Sequence, residues 1–364
     1  MVIKSRIRER YINAVMVILL FILTGIYSCV TQAQSFVSVN YTDRDPMSRV
    51  KNTEKGIRHI EHFDPNAQAV PVSLSMNGPF EEIKPATVPG GHRLYFSRVS
   101  NPYNTVGKAD QEDIWYVEFD ESTDTWSQPK RMPGFLNNDG PNYINNVSLT
   151  GDTIVLGNQY LKKGKMKAGL SYSVNVNGQW SFPEPIRIKN DYNISPHANA
   201  YVSVKSGVII QAIQRAETLG ERDLYVSFWN GIIATEPVNM GAIINSELEE
   251  ASPYLSMDNT TLYFASKGHN GYGGFDIYAS KRLDDTWTNW SEPENLGPAI
   301  NGPLDDTFFS ISHCGNYAVF SKQVSVHNVD IYRITLEDLV LEPAKRFYRK
   351  ERESEDWISP LTKL

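Results

Sequence analysis

The fold is decided by the tripeptide Asp276-Ile277-Tyr278, because close copies of it recur along the chain. The copies are Asp113-Ile114-Trp115, Asp223-Leu224-Tyr225 and Asp330-Ile331-Tyr332. The last three tripeptides are 53 and 54 residues apart, and the first gap, 110 residues, is about twice that spacing. A degenerate copy, Gly169-Leu170-Ser171-Tyr172, lies in the middle of this gap. A fixed period of this length indicates units that bury their apolar faces only against one another.

Two further landmarks keep the same period, so the chain contains five units. A short apolar run precedes each tripeptide, as in Leu262-Tyr263-Phe264-Ala265, and a turn with proline follows it, as in Trp290-Ser291-Glu292-Pro293. The units consist of short β-branched or aromatic stretches between clusters of Gly, Asn, Asp and Pro, and no sustained helical period interrupts them. The sequence therefore predicts an all-β protein.

Unit four shows the strand pattern most clearly. Residues 252–256 form a predicted inner strand, residues 260–266 a second strand and residues 275–281 a third, while residues 287–296 lead into a fourth. Four strands in about 50 residues are typical of a propeller blade.

The N-terminal end of the repeat region predicts how the ring closes. Pro71 to Glu82 resembles Pro237 to Glu250, which leads out of one unit and into the next. We therefore expect this segment to be an outer strand that pairs beside the three inner strands of unit five and leaves no free sheet edge. The prediction is a propeller of five four-stranded blades, with six blades as the alternative if residues 35–70 and the C-terminal tail form another.

Residues 255–258, 262–266 and 271–278 together resemble the WD-like, TolB-type β-propeller repeat that is common in envelope proteins of Bacteroidetes. The resemblance covers roughly residues 70 to 345. It implies a propeller and an envelope location, but no single activity, because the family includes scaffolds, binding modules and a few enzymes.

The N-terminus has the features of an export signal, with a basic segment followed by an apolar run over residues 14–26. Cleavage after Ala33 and a lipid anchor at Cys29 are both compatible with it. The expected organisation is a signal peptide over residues 1–33, an extension over 34–68, the propeller over 69–345 and a charged tail over 346–364. The expected location is the periplasm or the outer membrane, with the cell surface as an alternative.

Charge and cysteine content narrow the class of partner. The net charge of −7 argues against a nucleic-acid binder. An envelope protein or a glycan is the expected partner, with a membrane involved only through a lipid anchor at Cys29. Cys314 is expected to be a small buried residue rather than a nucleophile.

Paired acids precede the inner strand in three units, at Glu81 and Glu82, Glu249 and Glu250, and Asp305 and Asp306. This connection lies near one mouth of a propeller channel, so the pairs could form a carboxylate ring that binds a glycan or a divalent cation such as calcium. The alternative is that repeated loops use these acids to cap backbone amides. The sequence displays no motif for any other cofactor.

Units two and three lack the paired acids, and specific function is expected where the symmetry breaks. The residues at these positions are Tyr143, Asn145 and Asn146 in unit two and His197, Asn199 and Tyr201 in unit three. A polysaccharide lyase needs a group that neutralises a uronate carboxylate, a base and an acid, and Asn, His and Tyr can fill these roles. The favoured function is nevertheless a binding or scaffold module, with a lyase acting on uronic-acid glycans as the alternative.

Two repeated features are explained by architecture. The aspartate of each tripeptide is expected to accept hydrogen bonds from the preceding loop. Trp126, Trp180 and Trp290 are expected to wedge between neighbouring blades, with stacking on carbohydrate as the alternative.

Overall fold

The computed structural model describes residues 68–107, 112–313, 315 and 317–335. Within these ranges the secondary structure consists of 22 strands and two short 3₁₀ turns, Gly134–Leu136 and Lys162–Gly164. The expected signal peptide, Cys29, Cys314 and the C-terminal tail lie outside the described residues. Among the described residues, no helix has the length and hydrophobicity that crossing a membrane requires.

The strands form five antiparallel sheets, which are the five blades of a propeller. The innermost strand of each blade is given first and the outermost last. Blade one comprises β2 (Glu81–Thr87), β3 (Arg93–Val99), β4 (Glu112–Asp120) and β5 (Thr125–Trp126), with β6 (Lys130–Arg131) also on β4. Blade two comprises β7 (Ile144–Val147), β8 (Thr153–Tyr160), β9 (Met166–Val176) and β10 (Gln179–Trp180), with β11 (Glu184–Ile186) also on β9. Blade three comprises β12 (Asn199–Ser203), β13 (Val208–Ile213), β14 (Asp223–Phe228) and β15 (Val238–Asn239). Blade four comprises β16 (Glu250–Leu255), β17 (Thr261–Ser266), β18 (Asp276–Lys281) and β19 (Glu294–Asn295). Blade five comprises β20 (Asp306–Ile311), β21 (Tyr317–Ser325), β22 (Asn328–Thr335) and β1 (Val70–Pro71).

The inner strands close a ring in the order β2, β7, β12, β16 and β20, and β20 contacts β2 again. The outer position of blade five is occupied by β1, where Val70 pairs with Arg333 and Pro71 with Tyr332. The N-terminal segment therefore completes the last blade, as the sequence predicts. Five blades are confirmed, and β9 contains the degenerate copy at residues 169–172.

The core lies between neighbouring blades, because each blade is apolar on both faces. One cluster joins Ile210 and Leu224 of blade three to Phe264 of blade four. Trp290, only 3% exposed, belongs to this cluster. Trp180 and Trp126 are partly buried and pack against the clusters that join blades one and two and blades five and one, respectively. The three tryptophans therefore act as the predicted wedges between blades.

In four blades, one asparagine side chain hydrogen-bonds both backbone groups of the residue that follows the tripeptide aspartate, and we call this feature an asparagine clamp. The asparagine lies in the segment that follows the blade or, in blade five, in the N-terminal segment that closes it. In blade four the Ile277 N–H donates to Asn301 Oδ1 at 2.8 Å, and Asn301 Nδ2 donates to the Ile277 carbonyl at 2.9 Å. The same pair of bonds joins Asn137 to Ile114, Asn245 to Leu224 and Asn77 to Ile331. Each asparagine side chain thus makes the two hydrogen bonds that a backbone residue of an adjacent strand would make.

The aspartate of the tripeptide caps the loop before its own strand, as expected. Asp113 accepts from Thr105 N at 2.8 Å, and Asp223 accepts from Leu219 N at 2.9 Å. Asp276 accepts from Tyr272 N at 2.5 Å. This repeated bond fixes the loops that surround one face of the disc.

Candidate functional site

All five inner strands begin at the same face of the propeller, and we call the opening there the channel mouth. The residues at or just before these strand starts are Glu81, Pro141, Pro196, Glu249 and Asp305. The loops between the second and third strands reach the same face, because the strands of each blade are antiparallel. This is the face where the sequence places its candidate residues.

The second acid of each pair turns away from the channel and caps a loop. Glu82 accepts from Gly78 N at 3.0 Å, Glu250 from Ser246 N at 2.9 Å and Asp306 from Gly302 N at 2.6 Å. In every case the donor lies four residues before the acid and directly follows the clamp asparagine. Blade two keeps this cap with an amide, since Asn142 Oδ1 accepts from Asn138 N at 2.7 Å. The capping alternative therefore describes these three acids.

The capping carboxylates are deeply buried, and burial is the largest cause of the shifts in their pKa values. It raises the pKa of Glu82 to about 7, although Gly78 N–H and Arg98 both stabilise the anion. Burial raises the pKa of Asp306 to about 6 against the attraction of Lys322. Each side chain has its partners inside its own blade, and none of the three is directed to a ligand.

In two of the three pairs the first acid is also engaged by hydrogen bonds. Glu249 accepts from Arg222 Nε and from Lys267 Nζ, both at 2.7 Å. Asp305 Oδ1 accepts from Phe275 N at 2.9 Å, and Glu81 is half-buried, with its pKa raised by burial and by the nearby charge of Glu112. In the described part of the chain, no group of three or more His, Cys, Asp or Glu residues is arranged to hold a metal ion. Cation binding at this ring stays a prediction.

A buried ion pair at the mouth involves two residues that the sequence analysis did not single out. Lys84, which is 8% exposed, donates to both carboxylate oxygens of Glu112, at 2.6 and 2.5 Å. Its ammonium group also lies 3.8 Å from the ring centroid of Tyr143. Burial lowers the pKa of Lys84, and the charge of Glu112 opposes this effect. The ion pair links the first and third strands of blade one, and the contact with the Tyr143 ring reaches blade two.

A second ion pair joins blade three to blade four. Arg222, 7% exposed, holds Glu249 with its Nε and donates from NH1 to Asn199 Oδ1 at 3.1 Å. Burial acts to raise the pKa of Glu249, but the charges of Arg222 and Lys267 outweigh it and lower the pKa. Asn199, one of the predicted site residues, is thereby held against a buried guanidinium.

His197 is the residue that breaks the pattern at the mouth. It follows Pro196 and lies two residues before β12, just as the capping residue Asn142 follows Pro141 and lies two residues before β7, but the His197 side chain is exposed. Burial of part of the ring and the positive charge of Arg222 both lower its pKa. His197 is therefore a neutral imidazole near pH 7, beside a buried cation.

The other predicted residues lie deeper and have structural partners. Tyr143 donates its hydroxyl hydrogen bond to the Ala198 carbonyl at 3.2 Å, and burial raises its pKa. Asn145 Oδ1 accepts from Ala200 N at 3.2 Å, and Asn146 exchanges two hydrogen bonds, each 3.0 Å, with the backbone of Val202. Tyr201 packs edge-on against Tyr254 inside the channel. Of the predicted residues only His197 is exposed, Asn145 and Asn199 are partly exposed, and the others are buried. The contacts of Tyr143 and Asn145 with Ala198 and Ala200 bring the two candidate segments side by side.

The channel below the mouth is narrow, with a cavity of about 50 Å³. Three of its lining atoms are buried and have no hydrogen-bond partner in the described part of the chain: Asn145 Nδ2, Ser252 Oγ and His313 Nδ1. A cavity needs roughly 10–15 Å³ for one water molecule, so this one has room for a few. It is too small for a sugar ring, and any larger ligand must therefore be bound at the mouth or on the loops.

The fold defines the class of protein as a five-bladed β-propeller. No protein-family model matches the chain, and no curated protein matches it. Solved structures with similar folds include TolB from Acinetobacter baumannii, with 13% identity over 71% of this chain and 55% of TolB and a TM-score of 0.40. The chain thus spans about half the length of TolB.

Two other solved structures have a similar level of likeness to this chain. A protein of unknown function from Dyadobacter fermentans has 13% identity over 74% of this chain and 99% of its own, with a TM-score of 0.45. The GH43 protein BlXynB from Bacillus licheniformis has 13% identity over 76% of this chain and 58% of its own, with a TM-score of 0.43. Similarity at this level does not discriminate between functions, and the assignment to the propeller class rests on the strand order and the closure of the ring.

Proposed function

We propose that the protein is an exported binding or scaffold module of the bacterial envelope, and that it recognises a protein or glycan partner at the face that contains the channel mouth. The observation that carries this proposal is that the buried charges at the channel mouth are paired with one another. Lys84 is paired with Glu112, and Arg222 with Glu249. Both carboxylates are held by cations, so neither is available as a free proton acceptor. Such an arrangement suits a rigid recognition surface.

The architecture supports the same proposal. The asparagine clamps and the capped loops fix the backbone around the mouth, and a rigid scaffold with variable loops is suited to recognition. The export signal that we expect from the sequence supports the proposed location of this surface outside the cytoplasm.

The test compares two exposed apolar residues of blade three that lie on opposite faces of the propeller. Leu219 (52% exposed) lies in the loop between β13 and β14, on the mouth face, and Ile232 (75% exposed) follows β14 on the opposite face. Partners would be captured from envelope extracts with the wild type, identified, and then measured with purified components against Leu219→Asp and Ile232→Asp. The proposal expects loss of binding for Leu219→Asp alone. Equal affinity of both variants and the wild type would place the interface elsewhere.

A polysaccharide lyase is the second candidate, and the state of His197 is the observation that favours it. A neutral, exposed imidazole can accept a proton, and the partly exposed Asn199, which is held in place by Arg222, could donate a hydrogen bond to a uronate carboxylate. Lyase turnover on a panel of uronate polymers would appear as ultraviolet absorbance of the unsaturated product. Turnover by the wild type that is lost in a folded His197→Ala variant would favour the enzyme, and no turnover by the wild type on any polymer would exclude this candidate.

A further inference from the structure

The loop between β8 and β9 carries an unusual density of positive charge for a chain of net charge −7. We call residues 161–167 the basic loop. Its four lysines are all exposed: Lys162, Lys163, Lys165 and Lys167. None of them forms a salt bridge with a carboxylate of the described residues. Four exposed lysines within six residues create a local positive field on an acidic protein, and the charge of one of them, Lys167, also acts on Asp191.

The basic loop has a defined shape. Leu161 N donates to the Lys165 carbonyl at 2.8 Å, and Lys163 adopts a left-handed conformation with φ of 65° inside the 3₁₀ turn. At the C-terminal end of the loop, Met166 packs against the segment that leads from blade one to blade two. A Cβ atom added to Gly140 in that segment would lie only 2.9 Å from Met166 Cγ. Asn138 Nδ2 also lies 3.2 Å from Met166 Sδ. The ammonium groups are therefore presented by a preformed turn.

Two exposed aromatic rings lie on the outer side of blades one and two. Phe182 stands between β10 and β11, beside residues 173–174 of β9, which is roughly 20 Å along that strand from Lys167. Phe135 lies three residues before Asn138 and is 43% exposed, and Phe182 is 47% exposed. Their ring centroids are 5.5 Å apart at an interplanar angle of 48°. Exposed aromatic faces bury apolar surface at little cost in side-chain entropy, and neighbouring pairs of them mark binding surfaces more often than single residues do.

We propose that the basic loop binds an anionic polysaccharide, and that Phe135 and Phe182 contact the same polymer several sugar units further along. Lysine ammonium groups pair with carboxylate, sulfate or phosphate groups along the polymer, and the aromatic pair receives the apolar face of a sugar ring. This inference rests on the proposed function and assigns the chemical class of the ligand. The turn at the tip of the loop is Lys162-Lys163-Gly164-Lys165, which has no apolar side chain to insert into a bilayer, so a glycan fits it better than a lipid surface.

The experiment measures affinity for alginate as an anionic polymer and for dextran as a neutral polymer. We expect the wild type to bind alginate in a salt-sensitive manner and not to bind dextran. The variant Lys162→Gln/Lys163→Gln/Lys165→Gln/Lys167→Gln should bind alginate roughly tenfold or more weakly, because several charge pairs are lost together. Phe135→Ser/Phe182→Ser should also weaken binding while leaving its salt dependence intact.

A matched pair of double variants separates local from global charge. Lys163→Gln/Lys165→Gln removes two charges from the basic loop, whereas Lys189→Gln/Lys281→Gln removes two exposed charges from other parts of the propeller. Equal affinities of these two variants would overturn the proposal, as would binding of anionic vesicles or of an acidic protein in preference to alginate. The basic loop and Leu219 both lie on the mouth face, so Leu219→Asp separates the failure of this inference from that of the proposed function. Loss of partner capture by Leu219→Asp, with equal alginate affinities of the two lysine double variants, would overturn this inference and leave the proposed function intact.

Discussion

Asn77 hydrogen-bonds both backbone groups of Ile331, although 254 residues separate them in the chain. Its Oδ1 accepts from Ile331 N, and its Nδ2 donates to the Ile331 carbonyl, both at 3.0 Å. Together with the short pairing of β1, this clamp joins the two ends of the ring. The same clamp operates inside the propeller at Asn301 and Ile277, where only 24 residues separate the partners.

The Asn77 clamp should contribute to global stability through ring closure. Asn77→Ala removes two hydrogen bonds and should lower the free energy of unfolding by about 2–3 kcal/mol. Asn301→Ala, the matched control, should cost a similar amount in urea unfolding. Only Asn77→Ala should accelerate proteolysis near residue 70, because only this clamp secures the N-terminal strand. Equal protection of that strand in both variants would contradict the prediction.

Gly157 should be intolerant of any side chain. A Cβ built on it would lie 1.9 Å from Cζ of Tyr143, so Gly157→Ala must displace the Tyr143 ring and break its hydrogen bond to Ala198. The expected cost is about 2–3 kcal/mol in chemical denaturation. Adding Tyr143→Leu should recover part of the loss, since the clash is removed. A double variant no more stable than Gly157→Ala would point to a different cause.

The Lys84–Glu112 pair should behave as a buried ion pair. Glu112→Gln leaves the Lys84 ammonium buried without its counter-charge and should destabilise the fold by about 3 kcal/mol. The double variant Lys84→Met/Glu112→Leu removes both charges and should be closer to the wild type than Glu112→Gln is. Thermal and urea unfolding of the three proteins measure this order, and the reverse order would show that the pair is well solvated.

Asp276 should make stability fall as the pH rises. Burial raises its pKa from 3.8 to about 7, so between these values the folded protein keeps a proton that the unfolded chain has released. The free energy of unfolding therefore falls with rising pH, by up to about 1.4 kcal/mol per pH unit. Asp276→Asn removes this titration, and its stability relative to the wild type should improve between pH 4 and pH 7 and then stay constant.

Two histidines titrate in the opposite sense, which is why the variant is compared with the wild type at each pH. Burial lowers the pKa of His313 to about 4 and also lowers that of His197. Their contributions to stability are present above pH 6.5 and are lost as the pH falls. These terms cancel in the difference between the wild type and Asp276→Asn. A difference independent of pH would show that Asp276 titrates normally in the folded protein.

The spacing of the tripeptides was sufficient to predict the blades. In unit four the third strand was expected over residues 275–281 and is Asp276–Lys281, and the second was expected over 260–266 and is Thr261–Ser266. Strand boundaries follow from local alternation and turn residues, which the sequence displays directly. The asparagine clamp was also visible in principle, since Asn77, Asn245 and Asn301 each precede an acid by five residues.

The candidate site was only partly predictable. His197 and Asn199 were singled out because they break the repeat, and the structure places them together at the mouth. Arg222, Lys84 and Glu112 were missed, because each stands once in the chain without a repeated counterpart. Their significance comes from partners 27 and 28 residues away, at Glu249 and Glu112 respectively.

The amino-acid sequence by itself determined the β-structure and the segment that closes the ring, and it favoured five blades over six, because repetition and alternation are properties of chain order. Only the tertiary structure decided which carboxylates are capped, which charges are paired and which lysines are left free. Those outcomes depend on the distances between blades and on burial, and neither is encoded in the spacing of residues along one unit.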